Sequence, residues 1–486
     1  MTILHKNKFK KEILFIAIVF FLFLALSPFL LRESSVKSLV IFLSLLSWLG
    51  LFIYTKNIIF SSLLYIFLVL PFNITLQLPL SVEILNTEAL LANPFVEGIY
   101  VNYLVPTLSI LDMGILLALG SIVITKGFSF YRVLFKDLKS GLLILFVFLL
   151  FQNLFLFSLN SLLFSLRLFS LILLFLSLSK IMREGKLDKK VKRRVLNLGI
   201  TIFLINILIQ GTLGIIQFKR GTSLGLGFLG ESKIVSGMMG SSFVELSGQV
   251  FLRAYGTFPH PNILGGFLLL AMFLGIYLYK GKKIKGILLI TLSSFFMVFT
   301  FSRITLLLAI VVIFAFLSKE FLFRKSKSLW SFSLSPLLFL ERFKNLFNSG
   351  DRSWSERLDL VKASFKVIKE NWLLGTGGGN FVKGMEGFVP RTSRGILLAQ
   401  PVHNIFLLYI SEFGILGFII IFYVLFYEII KNLKKISMYG GLILFVIVVI
   451  GVFDHYFFSL PQGMVIFFSF LFLLLFSLKG RRVDEI

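Results

Sequence analysis

The sequence predicts an all-α, polytopic membrane protein of about 12–14 transmembrane helices with one large extracytoplasmic loop. Hydrophobic residues make up 57% of the 486 residues, and Phe alone occurs 60 times. Apolar runs of about 16–20 residues recur from end to end, close to the length that a helix needs to cross the hydrocarbon region. Because lipid offers no hydrogen-bond partner to an open backbone, such runs are expected to be helical.

The charge distribution indicates membrane topology rather than nucleic-acid binding. The formal net charge is +26, and the cations stand in short runs between apolar segments. We therefore expect membrane lipids, and no nucleic acid, among the partners of the protein. The chain contains no Cys, which excludes disulfides and thiolate metal sites.

The apolar runs predict about fourteen spans within a single membrane domain, residues 1–486. The first run begins near Ile13 and has no small-residue cleavage site before Arg32, so we interpret it as a span and not as a signal peptide. The run 328–341 has only about 14 residues, fewer than the roughly 20 that a crossing needs. The predicted spans are 13–31, 38–54, 57–72, 107–125, 141–158, 160–178, 195–217, 261–279, 286–301, 303–319, 328–341, 404–428, 438–453 and 462–478.

The distribution of Lys and Arg predicts that both termini face the cytoplasm. The loop 74–106 contains Glu but no Lys or Arg, and it is therefore expected outside. The span count places the segments 218–260 and 342–402 outside as well, provided that 328–341 crosses the membrane. The segment 342–402 is then a large extracytoplasmic loop of a protein in the cytoplasmic (inner) membrane.

The extracytoplasmic loop is expected to contain an amphipathic helix. Apolar side chains recur at three- and four-residue spacing between Arg357 and Lys369, and this helix is expected to lie on the membrane surface or to cap the cavity. Its predicted apolar face consists of Leu358, Val361, Phe365, Ile368 and Trp372. The glycine-rich segment 375–380 follows. Its backbone amides either bind a phosphate or, as we favour, form a helix stop and flexible turn.

Four chain segments each place a polar residue at the outer end of a predicted span. These residues are Arg253, Arg303, His403 and Asp454. Because membrane proteins rarely tolerate such groups without a use for them, we expect them to form one site. Guanidinium groups suit phosphate oxygens as bidentate forks, and an imidazole with a pKa of about 6.5 accepts protons at neutral pH. A carboxylate can orient that imidazole or stabilise its protonated form.

The predicted catalytic residues are therefore His403 and Asp454, with His455 as the competitor of His403 for the proton-handling role. The expected substrate-binding residues are Arg253, Arg303, Asn404 and Arg357. No metal is expected, because the outward loops contain neither Asp-x-Asp nor a His/Glu cluster with the spacing of metal ligands. Arginine is then the available counter-charge for a phosphate.

Each polar residue also has a structural interpretation. Interfacial arginines often only extend to lipid headgroups. Asp112 and Arg167, inside predicted spans, are expected to form a structural pair, and Glu412 is expected to face solvent. His260, between two prolines, is expected to be a turn residue rather than a base.

The polar motifs together resemble the O-antigen ligase and polymerase superfamily. They occur in family order across about residues 250–420, and Asp454 extends the resemblance. The N-terminal part of the chain contributes only hydropathy to it. The shared motifs are Arg253 with Gly256-Thr257-Phe258 and Pro261-Asn262, Ser302-Arg303, Trp372-Leu373-Leu374-Gly375 with Gly379-Asn380-Phe381, and His403-Asn404 with Gly414 and Gly417.

The resemblance implies a GT-C-like membrane glycosyltransferase that needs no metal and no cofactor. Such an enzyme takes a glycan from a polyprenyl diphosphate carrier, which Arg253 and Arg303 would bind. His403 would activate an acceptor hydroxyl, with assistance from Asp454, and attack at the anomeric carbon would expel polyprenyl diphosphate with inversion. The acceptor is a glycan, lipid or protein hydroxyl on the outer face of the membrane. Ligation and polymerisation of a cell-surface polysaccharide both stay open.

Other functions are compatible with the same composition. A transporter or flippase of lipid-linked glycans would also be basic and polytopic, but it is expected to contain an internal repeat and charges near the membrane midplane. The sequence has no evident repeat, and its polar groups cluster at one interface. A protein O-oligosaccharyltransferase would carry the same motifs. A structural scaffold would leave the outward polar residues without a reason.

Overall fold

A computed structural model describes most of the chain between Thr2 and Ser477. The predicted span 328–341 and the first part of the predicted loop, 342–351, lie outside the described residues. The described ranges are 2–33, 35–84, 87–137, 141–184, 188–235, 240–246, 248–323, 352–392, 394–431 and 433–477.

The described residues are mostly helical, as predicted. The helices are α1 (Thr2–Glu33), α2 (Ser35–Thr55), α3 (Ile58–Val69), α4 (Ile110–Lys126), α5 (Phe128–Asp137), α6 (Gly141–Phe155), α7 (Leu159–Glu184), α8 (Lys189–Arg220), α9 (Pro261–Leu278), α10 (Lys283–Thr300), α11 (Arg303–Phe323), α12 (Arg352–Glu370), α13 (Phe381–Gly384), α14 (Ile405–Lys431), α15 (Met438–Phe453), α16 (Tyr456–Ser459) and α17 (Pro461–Ser477). The strands are β1 (Thr75–Gln77), β2 (Ser81–Ile84), β3 (Thr87–Leu90), β4 (Phe95–Val96), β5 (Ile99–Tyr100), β6 (Thr107–Ser109), β7 (Phe243–Leu246) and β8 (Gln249–Leu252).

The protein is a polytopic membrane protein, and its described residues contain six or seven helices long enough to be spans. By length and composition, six described helices can cross a membrane, and the pair α4 and α5, bent by 101°, is a seventh candidate. The six are α2, α7, α8, α9, α10 and the Ile405–Tyr427 part of α14. The apolar helices α3, α6, α15 and α17 have 17 residues or fewer. These four short helices correspond to predicted spans, and the predicted span 328–341 lies outside the described residues.

Helix α9 forms the centre of the helical assembly. Of its apolar window 83% is buried, compared with 22% for α2. Helix α9 packs closely on α10, because a Cβ added to Gly275 would lie 2.8 Å from the backbone oxygen of Gly286. Glycines allow such close approach between membrane helices. The segment that leads into α9 is thereby attached to the most enclosed part of the fold.

The predicted pairing of Asp112 with Arg167 is confirmed. The Nε of Arg167 lies 2.6 Å from Oδ1 of Asp112, and its Nη2 lies 2.7 Å from Oδ2. The same carboxylate accepts the backbone N–H of Ser109 and so closes a capping box at the start of α4. Because removing one partner would leave a largely buried charge unpaired, this contact fixes α4 against α7.

The loop 74–106 folds into short antiparallel strand pairs and contacts the segment that follows α13. Strand β2 pairs with β3, and β4 pairs with β5. An ion pair of 2.9 Å joins Glu97 to Arg391, and the Nζ of Lys383 donates to the backbone oxygen of Phe95 at 3.2 Å. These contacts hold the loop 74–106 against the segment 352–402.

Helix α12 confirms the predicted helix in the 342–402 segment. Its buried face consists of Leu360, Ala363, Ser364 and Val367. The predicted apolar face points away from the protein, since Phe365 and Trp372 are each 59% exposed. Two helix faces are therefore apolar: a narrow one that packs on the protein, and a wider one with aromatic side chains that the protein leaves open.

Helix α14 is interrupted at Gly414, where φ is 64° and ψ is −179°. The backbone N–H of Ile415 donates to the oxygen of Trp372 at 2.8 Å instead of to its own helix. A Cβ at Gly414 would lie 2.1 Å from the oxygen of Leu373, so the close approach requires glycine. Irregular backbone at membrane depth is tolerated where protein groups satisfy it, as they do at this break.

Candidate active site

The glycine-rich segment 375–380 holds a carboxylate of the protein itself. The backbone N–H of Gly379 donates to Oε2 of Glu412 at 2.8 Å, and that of Phe381 donates to Oε1 at 3.3 Å. Glu412 is 3% exposed, so the expectation that it faces solvent is wrong. Backbone amides that a phosphate would need are thus bonded to a buried side chain. The segment is an anchored turn rather than a phosphate cradle.

The buried guanidinium of Arg253 joins two chain segments. Its Nε donates to the backbone oxygen of Thr300 at 2.7 Å, and its Nη2 donates to Oδ1 of Asn262 at 2.7 Å. Thr300 ends α10, and Arg303 begins α11. Between them Phe301 has a φ of 47°, a conformation uncommon outside glycine. The sharp turn that bears Arg303 is therefore held directly by Arg253.

Two buried glutamines of α8 position the residues that follow Arg253. The Oε1 of Gln217 accepts the N–H of Gly256 at 2.8 Å, and the Oε1 of Gln210 accepts the N–H of Thr257 at 2.7 Å. Gly256 has a φ of 62°, and a Cβ there would lie 2.3 Å from the Gln210 side-chain oxygen. The Gly-Thr pair of the motif thus serves to place Arg253 rather than to contact a ligand.

Asn262 connects Arg253 to Asp454. The Nδ2 of Asn262 donates to Oδ2 of Asp454 at 2.6 Å, while Oδ1 of Asp454 accepts the backbone N–H of His455 at 2.8 Å. Asp454 caps the end of α15, and it is buried. Because both carboxylate oxygens have protein donors, the position of this charge is fixed.

The imidazoles of His403 and His455 form a stacked pair. Their ring centroids lie 4.8 Å apart, and their planes differ by 16°. The Nδ1 of His455 lies 2.6 Å from the hydroxyl oxygen of Ser459. Within the described residues, the Nδ1 of His403 is buried and has no hydrogen-bond partner. The hydrogen bonds of Asp454 run to Asn262 and to the backbone of His455, so its expected action on His403 is through space and through the stacked ring.

Burial determines the protonation of these groups. Burial lowers the pKa of His403 well below its ordinary value, and His455 lowers it further, while Asp454 acts in the opposite direction. Burial also lowers the pKa of His455. Burial opposes ionisation of Asp454, but the imidazoles and Arg357 outweigh this effect, and its pKa is lowered. At neutral pH the site therefore holds a carboxylate beside two uncharged imidazoles.

The stacked geometry is unsuited to a shared metal ion. His403, Asp454 and His455 each have a potential ligand atom, and these atoms lie within 4.8 Å of one another. An imidazole nitrogen binds a metal along the plane of its own ring, at about 2.0–2.1 Å for zinc. Two nearly parallel rings cannot direct their lone pairs to the same point. The donor set thus fits proton handling better than metal coordination.

The remaining predicted substrate-binding residues lie around this cluster. The Nη1 of Arg357 on α12 donates to the backbone oxygen of Phe453 at 3.4 Å, and its Nε is buried without a partner among the described residues. The side chain of Asn404 accepts the N–H of Leu407 and donates to the oxygen of Val452 at 3.3 Å. Asn404 thus caps α14, and its role in binding stays a prediction.

Three residues of the site had no predicted role. Asn262 was part of a motif, but it links Arg253 to Asp454, and Asp454 caps a helix that is far away in the sequence. Tyr103 lies edge-on to the ring of His455, with centroids 6.2 Å apart. Ser459 follows His455 by four residues, or about one helical turn, and this spacing could have indicated their contact from the sequence. His260 caps α9 by accepting the N–H of Asn262, as expected of a turn residue.

The fold and the site define a polytopic helical membrane protein in which guanidinium, carboxylate and imidazole groups meet at the ends of separate helices. Residues 263–422 match the family model for O-antigen ligase. The chain therefore contains an O-antigen ligase domain, which confirms the resemblance and indicates a glycosyltransferase of the ligase or polymerase type. The match includes Arg303 and His403, while Arg253 and Asp454 lie on either side of it. No curated protein matches the chain.

Proposed function

We propose that the protein transfers a glycan from a polyprenyl diphosphate carrier to an acceptor hydroxyl on the outer face of the cytoplasmic membrane. The product is a ligated or polymerised cell-surface polysaccharide. The observation that carries the proposal is the unpartnered Nδ1 of His403 beside the linked side chains of Arg253, Asn262 and Asp454. This arrangement combines an imidazole nitrogen that no described protein group bonds with fixed charges, in a chain that contains an O-antigen ligase domain.

In the proposed reaction the acceptor hydroxyl attacks the anomeric carbon of the donor sugar. The new glycosidic C–O bond forms as the bond from that carbon to the diphosphate oxygen breaks, and the leaving diphosphate takes the electron pair. The proton of the hydroxyl passes to the uncharged imidazole of His403. The buried carboxylate of Asp454 stabilises the resulting imidazolium. Attack opposite the leaving group inverts the anomeric centre.

Arginine supplies the counter-charge for the leaving diphosphate. Arg303 stands on the turn that Arg253 fixes, and Arg357 has a buried N–H without a protein partner among the described residues. Guanidinium groups in a partly desolvated site stabilise charge that develops on phosphate oxygens. Because Arg253 uses two of its donors for the protein, its part in the proposal is to position the site as much as to bind the carrier.

Reconstitution with both substrates tests the proposal. Proteoliposomes receive a polyprenyl-diphosphate-linked glycan with a radiolabel in the sugar, together with glycan, lipid or peptide acceptors. We expect a covalent labelled product, stoichiometric release of polyprenyl diphosphate, and the same rate in the presence of EDTA. Movement of label across the bilayer without a covalent product would contradict the proposal and favour a transporter. Loss of transfer with EDTA would overturn the arginine-based mechanism.

The proposed side of the membrane has its own test, because the chain has no Cys. Arg394→Cys and Lys280→Cys each introduce one exposed thiol, after α13 and between α9 and α10 respectively. A membrane-impermeant maleimide is expected to label Arg394→Cys in intact cells and Lys280→Cys only after permeabilisation. The reverse pattern would place the site on the cytoplasmic face and remove the proposed donor.

A further inference from the structure

The loop 74–106 brings an aromatic side chain to the edge of the imidazole pair. Tyr103 lies in a short turn, Asn102–Leu104, and its ring stands at 74° to that of His455. Although it touches the site, 36% of Tyr103 is exposed. Partial burial and the charge of Asp454 raise the pKa of Tyr103 to about 12, so its phenol is uncharged at neutral pH.

Several contacts hold Tyr103 in this place. The Nδ2 of Asn160 donates to the backbone oxygen of Tyr103 at 3.4 Å and to that of Gly379 at 3.1 Å. The ion pair of Glu97 with Arg391 fixes the preceding hairpin. The ring therefore belongs to an anchored loop, and it lies against His455, which stacks on the proposed proton acceptor His403.

We propose that Tyr103 is the stacking platform for the acceptor sugar. The inference rests on the proposed glycan transfer. A sugar ring presents a face of weakly positive C–H groups, and the face of an aromatic ring is negative. A rigid, uncharged ring binds such a face at little cost in side-chain entropy.

The position of Tyr103 indicates that its ring binds the acceptor sugar rather than the diphosphate carrier. The groups suited to diphosphate are the arginines, whereas Tyr103 contacts His455, which stacks on His403. A sugar on the ring of Tyr103 would thus lie beside the proton acceptor. Tyr103 also lies outside the residues 263–422 that match the O-antigen ligase family.

Kinetics with a varied glycan acceptor test the inference. Tyr103→Ala is expected to raise the acceptor KM at least fivefold, which corresponds to about 1 kcal/mol of stacking, with kcat and the donor KM within about twofold of wild type. Tyr103→Phe is expected to retain the wild-type KM, because it retains the ring. Tyr100→Ala is the matched control, since Tyr100 is an exposed aromatic residue of the same loop that packs on Phe95. It is expected to behave as wild type.

An unchanged acceptor KM in Tyr103→Ala would overturn the inference, as would an equal loss in Tyr103→Phe or in Tyr100→Ala. A separate measurement does not depend on turnover: saturation-transfer NMR with an acceptor oligosaccharide and no donor. We expect sugar-ring signals with wild type and Tyr103→Phe that decrease in Tyr103→Ala. Equal signals in all three would contradict the role of Tyr103. Absence of transfer by wild type with every acceptor would instead contradict the proposed function.

Discussion

The imidazoles of His403 and His455 lie nearly parallel, with ring centroids 4.8 Å apart, although 51 residues separate them in the chain. The Nδ1 atoms of the two rings differ in their surroundings. His455 contacts the Ser459 hydroxyl, whereas the Nδ1 of His403 is buried and unpaired among the described residues. This asymmetry distinguishes the two candidates for the proton-handling role. It favours His403 as the group with a ring nitrogen that no described protein group bonds.

Replacement of Arg253 tests the link between the guanidinium and the carboxylate. Arg253→Lys cannot bond both the Thr300 oxygen and Asn262 with the same planar fork. Loss of one bond to a charged group predicts a decrease in transfer rate of about tenfold to a hundredfold. The measurement is the initial rate in proteoliposomes at saturating substrates. Arg220→Lys, at the exposed end of α8, is the control, and an equal rate in both variants would contradict the link.

Replacement of Glu412 tests the anchored turn. In wild type the side chain of Glu412 accepts hydrogen bonds from the backbone N–H groups of Gly379 and Phe381. In Glu412→Gln the side-chain NH2 group would face one of these N–H groups, so that two donors meet and one hydrogen bond is lost. We expect a loss of about 1–3 kcal/mol, seen as a lower midpoint of thermal unfolding in detergent. Glu386→Gln is the control, because its ion pair with Lys383 is exposed to solvent. A midpoint in Glu412→Gln as high as in the control would show that the turn does not depend on this carboxylate.

The buried histidines predict that stability decreases with acidification. Burial lowers the pKa of His260 to about 3, and it also lowers the pKa values of His403 and His455. The unfolded chain therefore binds protons below pH 6.5 that the folded protein does not bind. This contribution to stability is complete above pH 6.5 and is lost as the pH falls from 6.5 towards 3. The limiting slope is about 1.4 kcal/mol per pH unit for each proton.

Unfolding midpoints between pH 7.5 and 4.5 test the pH dependence. His455→Gln, which removes one of these titrations, is expected to reduce the slope relative to wild type. A wild-type midpoint that rises towards pH 5 would contradict the burial of uncharged imidazoles.

The open apolar face of α12 predicts contact with lipid. Trp354, one helical turn before Leu358, and Trp372, just after the end of α12, are both more than half exposed, whereas Trp48 is buried. In a variant with Trp48→Phe and Trp330→Phe, brominated phospholipids are expected to quench the remaining fluorescence more strongly than aqueous iodide does. The reverse order of quenching would place this face in water. Phe365→Glu is expected to weaken quenching by the brominated lipid, because it puts a charge in the middle of the face.

Much of the architecture follows from hydropathy and spacing. The helices, the pair of Asp112 with Arg167, and the meeting of Arg253, His403 and Asp454 segments were all predicted. Apolar runs indicate helices whether or not these helices are long enough to cross the membrane, so the described residues contain fewer helices of that length than apolar runs. Sequence patterns of one helix describe its own faces, and they cannot identify which face meets the protein.

The details of the site depend on contacts between distant segments. Its own helix gives Glu412 no partner, because the backbone N–H of Gly379 that donates to Glu412 belongs to another segment. The break in α14 becomes visible only when the backbone near Leu373 is placed against Gly414. Tyr103 lies in a short turn of a loop whose sequence predicts only its side of the membrane. None of these positions has a local periodicity that could have indicated its neighbour.

The most direct measurement of the central claim is the rate of glycan transfer by His403→Gln in proteoliposomes, at matched protein content and with an unchanged unfolding midpoint. Glutamine retains a polar side chain but cannot accept the proton of the acceptor hydroxyl. We predict a rate at least a hundredfold below wild type, as expected for removal of a general base. His455→Gln is predicted to retain more activity than His403→Gln. Transfer by His403→Gln at the wild-type rate would contradict the account.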